Sequence, residues 1–175
     1  AIRKDLFPKL PEKLILDDVY VPMSIVGRGY RAIFDKKAII CDKFSKDSKL
    51  EFKRKVRTLA GNFQLFVYSR WLFNPFSSYI TWQFFSHKLL RVILPFFMIS
   101  TVVSSYFLYP RGYFYQAVFG LQIFFYFLAF LGIVIKGKSK LIDISYMFCV
   151  MNLAAVVGFF RFLLGKETAI WKKTS

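Results

Sequence analysis

Asp17 and Asp18 stand side by side in LILDD, directly ahead of the apolar run VYVPMSIV. Adjacent carboxylates at a helix start, one capping and one free, can supply a general base. The plainer alternative is a helix cap beside a solvated neighbour. Arg54 and Arg57, in EFKRKVRTLAGNFQ, lie three apart and would share one face of a helix. Two guanidiniums on one face suit a diphosphate or a lipid phosphate. The alternative is a stripe turned toward solvent or phospholipid. His87, in SHKLLR, is a lone histidine at the mouth of an apolar stretch, where such residues more often serve as interfacial hydrogen-bonding groups than as catalysts. The sequence holds no Ser/His/Asp set, no Gly-rich phosphate loop and no Asp-x-Asp. Nothing in it binds a nucleotide–metal complex by itself. Cys41 and Cys149 are the only cysteines and build neither a metal site nor a disulfide framework.

The elements that must position these groups divide sharply in character. Leu89–Tyr109, Tyr113–Ile135 and Ser145–Leu164 are apolar stretches. Each is long enough to cross a bilayer as a helix, which takes roughly 20 residues. The segment ahead of them is basic and too polar to enter lipid. A net charge of +16 together with a positive mean hydropathy is odd for one soluble domain and sensible once the two are segregated along the chain. Many aromatics flank the apolar runs, as in interfacial belts.

Within the polar part, Pro8 and Pro11 close a short opening segment. Asp18 is placed to cap a helix over Val19–Val26, with Pro22 in its first turn. Gly27 and Gly29 would end it. Tyr30–Phe34 and Ala38–Cys41 read as short β-prone runs around the turn DKK. Asp42–Lys49 reads as a loop. Leu50–Tyr68 has helical spacing, with Lys53, Arg54 and Arg57 set against Leu50, Val56, Leu59 and Phe63. Such a basic amphipathic helix suits a membrane interface, and the adjoining spans favour a membrane surface over nucleic acid as its partner. Asn74–Pro75 breaks the helix, and Phe76–Lys88 reads as a second interfacial helix.

Lysine placement predicts the topology. The first span leaves the cytosol, Pro110–Gly112 makes a tight hairpin, and KGKSKLID returns to the cytosolic side. The tail KETAIWKKTS would then lie outside. Its basic character conflicts with the rule, so the alternative is a tilted or re-entrant third segment anchored by Trp171. Arg91 sits near a helix end and can snorkel. Arg161, late in the third span, should face protein, water or the interface. Gln122 and Asn152 can hydrogen-bond between helices.

At LILDDVYVPMSIVGRGYRAIFDKKAI and EFKRKVRTLAGNFQ, the sequence resembles the C-terminal half of a membrane-bound family 2 glycosyltransferase, related to the inverting synthases of cellulose, chitin and hyaluronan. Leu16-Asp17-Asp18 resembles that family's Thr-Glu-Asp-like motif, with Asp18 in the position of the catalytic base and Leu16 and Asp17 replacing the first two residues. GRGYRAIFDKKA resembles the continuation that follows. Arg54-Lys55-Val56-Arg57-Thr58 lies where processive members carry Gln-x-x-Arg-Trp. Arg57 fits, Arg54 replaces Gln, and Thr58 replaces the Trp that stacks on the acceptor sugar, so the resemblance does not extend to processivity. The NPF, SHKLLR and MNLAAVVGFFRFLLGK segments resemble the family's C-terminal membrane region in bacterial or archaeal members.

The resemblance implies a mainly α chain in three parts. Residues 1–49 would be the C-terminal remnant of a GT-A α/β catalytic domain, 50–88 amphipathic interfacial helices, and 89–175 a transmembrane region with a short tail. It implies inverting transfer from a nucleotide-sugar donor to a glycan or lipid-linked acceptor in the plasma membrane, with the catalytic part cytosolic. Asp18 would be the catalytic residue, and Asp17, Arg54 and Arg57 would bind substrate. A divalent cation, Mg²⁺ or Mn²⁺, is implied by the family and would sit mainly on an N-terminal part outside this sequence. The competing expectation is a non-enzymatic membrane anchor or scaffold with a basic cytosolic face.

Overall fold

The computed structural model describes residues 2–33, 35–40, 48–74, 79–135 and 139–165. Of these, 79% are helical and none forms a strand. The helices are α1 (Asp17–Gly27), α2 (Ser48–Tyr68), α3 (Tyr79–Phe84), α4 (Leu90–Leu108), α5 (Tyr113–Val134) and α6 (Lys140–Leu163). The chain forms two compact units, Ala1–Leu89 with Val157–Ser175 and Leu90–Val156.

In the first unit, α1 begins one residue earlier than its expected cap. Leu16 occupies the cap position without a side-chain cap bond, and Asp17 and Asp18 both fall in the first turn. Asp17 Oδ1 accepts a hydrogen bond from the Asp18 N–H at 3.0 Å. Asp18 therefore does not cap the helix. Both carboxylates still lie where the N–H ends of the helix favour negative charge. Pro22 falls in the second turn, not the first, and withholds the N–H that would otherwise reach the Asp18 carbonyl. The C-terminus is a Schellman motif: Gly29, at φ +86°, donates to the Val26 carbonyl and Tyr30 donates to that of Ile25.

Residues 30–33 and 38–40 are neither strand nor helix. A β-prone run becomes a strand only beside a partner edge. No strand exists among the described residues to provide one, and Ile33, Ile39 and Ile40 are left exposed. The α/β character expected of the first 49 residues is thus not found among the described residues. Phe34, Cys41, most of the Asp42–Lys49 loop, Pro75 and the start of the Phe76–Lys88 helix lie outside the described residues. So do part of the KGKSKLID loop and the tail from Lys166 with Trp171.

Helix α2 matches the expected amphipathic helix, yet its apolar side packs on protein. Val56, Leu59, Ala60 and Leu65 are buried. Ala60 and Leu65 pack with Ile15 and Leu16, and partly buried Val19, Tyr20 and Phe162 complete that core. Phe63 meets Phe159 and Phe162 at ring-centroid distances of 5.1 and 5.8 Å. A Cβ on Gly158 would come within 3.0 Å of the Ala60 nitrogen and the Val56 oxygen, so the end of α6 approaches the backbone of α2 directly.

The expected second interfacial helix is not separate from the first span. α3 runs through a π-helical turn at Phe85–Leu89 into α4, and Thr81–Arg111 is one helical stretch. Lys88, on that turn, donates to Asn62 Oδ1 of α2 at 3.4 Å, which partners a polar side chain only 4% exposed.

Thr81–Arg111, Tyr113–Val134 and Lys140–Leu163 are long and apolar enough to cross a membrane. The third helix begins five residues ahead of the expected span and takes in Lys140 and Asp143. In the second unit, Gln122 Nε2 on α5 donates to Ser105 Oγ on α4 at 3.0 Å. Gly132 lets α5 approach α6: a Cβ there would sit 2.5 Å from Tyr146 Cβ and 3.3 Å from the Ile142 carbonyl oxygen. Small residues at such crossings let helix backbones come close in lipid.

Candidate functional site

The segment ahead of α1 is held against α2 by one side chain. Gln64 Oε1 accepts from the Ile15 N–H at 3.0 Å, and Gln64 Nε2 donates to the Lys13 carbonyl at 3.1 Å. These two hydrogen bonds fix the backbone of the turn that leads into α1. Beside it, Gly61 makes room for Leu16: a Cβ at Gly61 would lie 2.6 Å from Leu16 Cγ and 3.2 Å from Ile15 Cβ. Leu14, Ile15 and Leu16 are consequently buried, whereas Asp17 and Asp18, next in sequence, are exposed.

Three of the four expected site residues line one cavity. Asp17, Asp18 and Arg57 surround a space of about 630 Å³, with Lys13 and Thr58 adding polar groups and Leu10 and Pro11 on its rim. Formal charges around it balance, two carboxylates against one guanidinium and one ammonium. Arg54 does not line it; it is exposed on α2 one turn before Arg57. The side-by-side guanidiniums expected from the sequence are therefore split between the cavity wall and the outer surface. The 100° step of the helix explains why: three residues shift a side chain by about 60°, enough to carry Arg54 past the cavity rim.

Sequence reasoning assigned no role to Lys13 or Gln64. Lys13 adopts a left-handed backbone at φ +63° in the turn after Pro11, and such a turn is foreshadowed only by the proline. Gln64 lies in the quoted GNFQ run, but its partners are 49 and 51 residues away, beyond any local pattern.

Chemically, exposed carboxylates that share a cavity with cations can accept a proton from a neutral hydroxyl while the cations offset negative charge building nearby. Among the described residues no three His, Cys, Asp or Glu side chains gather as a metal-ligand group. His87 lies exposed on the π-helical turn and does not line the cavity. Arg161 is exposed in the last turn of α6. Gln122 and Asn152 belong to the second unit, where Gln122 makes the interhelical bond its position predicts and Asn152 instead donates to the Phe148 carbonyl of its own helix at 2.8 Å.

Comparison with known proteins returns no match to any family model, curated protein or solved structure.

Proposed function

We propose that this chain is the acceptor-side part of an inverting membrane glycosyltransferase. It moves a sugar from a nucleotide-sugar donor to a glycan or lipid-linked acceptor at the cytosolic membrane face. The observation that supports this reading best is the single cavity that gathers Asp17, Asp18 and Arg57 in a chain with three membrane-length helices.

In the proposed step, the Asp18 carboxylate takes the proton of an acceptor hydroxyl. That oxygen bonds to the anomeric carbon from the face opposite the leaving group. The bond from that carbon to the diphosphate oxygen breaks, and its electron pair leaves with the diphosphate. Arg57 offsets the negative charge that grows on the departing group, with Lys13 as a second cation. Asp17, held by its bond to the Asp18 N–H, faces the substrate as a hydroxyl acceptor. The nucleotide of the donor is assigned to a part of the protein outside these 175 residues. The divalent ion of the resembled family has no fitting ligand set among the described residues, and no step runs through one.

A second reading, a membrane anchor or scaffold with a basic face, draws on Lys53, Arg54 and Lys55, all exposed on α2. The two separate in one experiment. Membranes carrying the full-length protein are given a panel of labelled nucleotide sugars. The glycosyltransferase reading expects label from one donor to enter a glycan or lipid, and Arg57→Ala to lower that incorporation by about 10²-fold. Failure of every donor, with the protein still in the membrane, would leave the scaffold reading.

A further inference from the structure

The second unit holds a groove between α4 and α6, of about 450 Å³. Leu94 of α4 faces Ile144, Met147, Phe148 and Met151 of α6 across it. Along α6 the groove extends from Ile144 to Asn152, roughly 12 Å at 1.5 Å per residue. Its walls are apolar except at two points. Asn152, 8% exposed, has its amide N–H bound to the Phe148 carbonyl. Arg91, one residue into α4 and three before Leu94, brings a guanidinium to the α4 side of the groove.

A groove of this kind on membrane-length helices borders hydrocarbon along its length. A guanidinium there is costly unless it reaches the interface or meets an anion. Arg91 is exposed, and no carboxylate pairs with it among the described residues. The ligand that complements the groove must be an amphiphile with an anion at one end and a hydrocarbon chain behind it. We infer that this groove binds one anionic glycerophospholipid, its phosphate on Arg91 and an acyl chain along Leu94, Met147 and Met151.

Each part follows from chemistry on the two helices. The planar fork of Arg matches phosphate oxygens in pairs, and basic pockets between spanning helices select anionic headgroups. Methionine is unbranched and flexible, so Met147 and Met151 adapt to a chain that has no fixed shape. The inference needs only the membrane-length helices and is independent of glycosyl transfer.

The test is native mass spectrometry of the full chain released from nanodiscs containing equal phosphatidylglycerol and phosphatidylcholine. The wild type should retain one phosphatidylglycerol in preference to phosphatidylcholine. Arg91→Gln should lower that preference about fivefold, the share of one interfacial cation, and Arg91→Lys should keep most of it. Met147→Trp, at a side chain already 56% exposed and so tolerant of change, should fill the groove and release both lipids. Leu94→Trp fills it from the other wall and guards against misfolding of the first. Glycerol phosphate, a headgroup with no chain, should displace nothing. Equal retention of the two lipids, an unchanged preference in Arg91→Gln, full retention in both tryptophan variants, or displacement by glycerol phosphate would each overturn the inference.

Discussion

Gln64→Leu should loosen the backbone that carries the two aspartates. The side chain satisfies two main-chain groups, the Ile15 N–H at 3.0 Å and the Lys13 carbonyl at 3.1 Å. The two losses are unequal. Lys13 is exposed, so water takes over its carbonyl and the cost is the small net value of one hydrogen bond, about 0.5–1 kcal/mol. Ile15 is 6% exposed, and its N–H would be stranded beside an apolar side chain, at about 1–2 kcal/mol. Together they come to about 2 kcal/mol of local stability. At 1.4 kcal/mol per factor of ten, that is roughly thirtyfold faster opening. The assay is native-state hydrogen exchange read at residues 14–18, which reports local opening without requiring two-state unfolding of a membrane protein. Gln64→Glu keeps an acceptor for Ile15 and loses the donor to Lys13, so its exchange should fall between wild type and Gln64→Leu. Unchanged protection of residues 14–18 in Gln64→Leu would refute the clamp.

Two further predictions concern the membrane-length helices. Ser105→Ala should destabilise the α4–α5 pair more than Gln122→Leu, because it strands the Gln122 amide, whose Oε1 is already buried without a partner among the described residues, whereas the leucine removes that orphan too; the difference should be about 0.5–1 kcal/mol, read from denaturation of the two variants in one detergent. Gly132→Leu should separate α5 from α6, since even a Cβ would sit 2.5 Å from Tyr146 Cβ, costing about 1–3 kcal/mol, while Gly120→Leu, with open space around it, should change the same midpoint little.

The parts of this fold that follow a local period were legible. The helix over Leu50–Tyr68 and the three apolar stretches follow from spacing and length, because burial along a helix repeats every 3.6 residues. Gly29 was recognisable as a helix stop because a left-handed residue there favours glycine. What sequence missed depended on distant partners. The β-prone runs around DKK required an edge that the described residues do not provide. The interfacial helix before Leu89 joined the first span through a π-helical turn, whose hydrogen-bond shift leaves no compositional mark. At the candidate site, Asp17, Asp18 and Arg57 were singled out by type and order. Lys13 and Gln64 were not: Lys13 enters through a left-handed turn, and Gln64 through backbone partners 49 and 51 residues away. Arg54 was grouped with Arg57 from spacing alone, and the cavity rim runs between them.

The proposed role of Asp18 is tested by sugar transfer in membranes carrying full-length Asp18→Asn beside wild type, with donor binding measured on the same preparations. Asparagine keeps the shape of the side chain and removes the carboxylate proposed as the base. Transfer should fall by about 10²–10⁴-fold with donor binding retained, and Asp17→Asn should lose less. Transfer by Asp18→Asn within twofold of wild type would contradict that role.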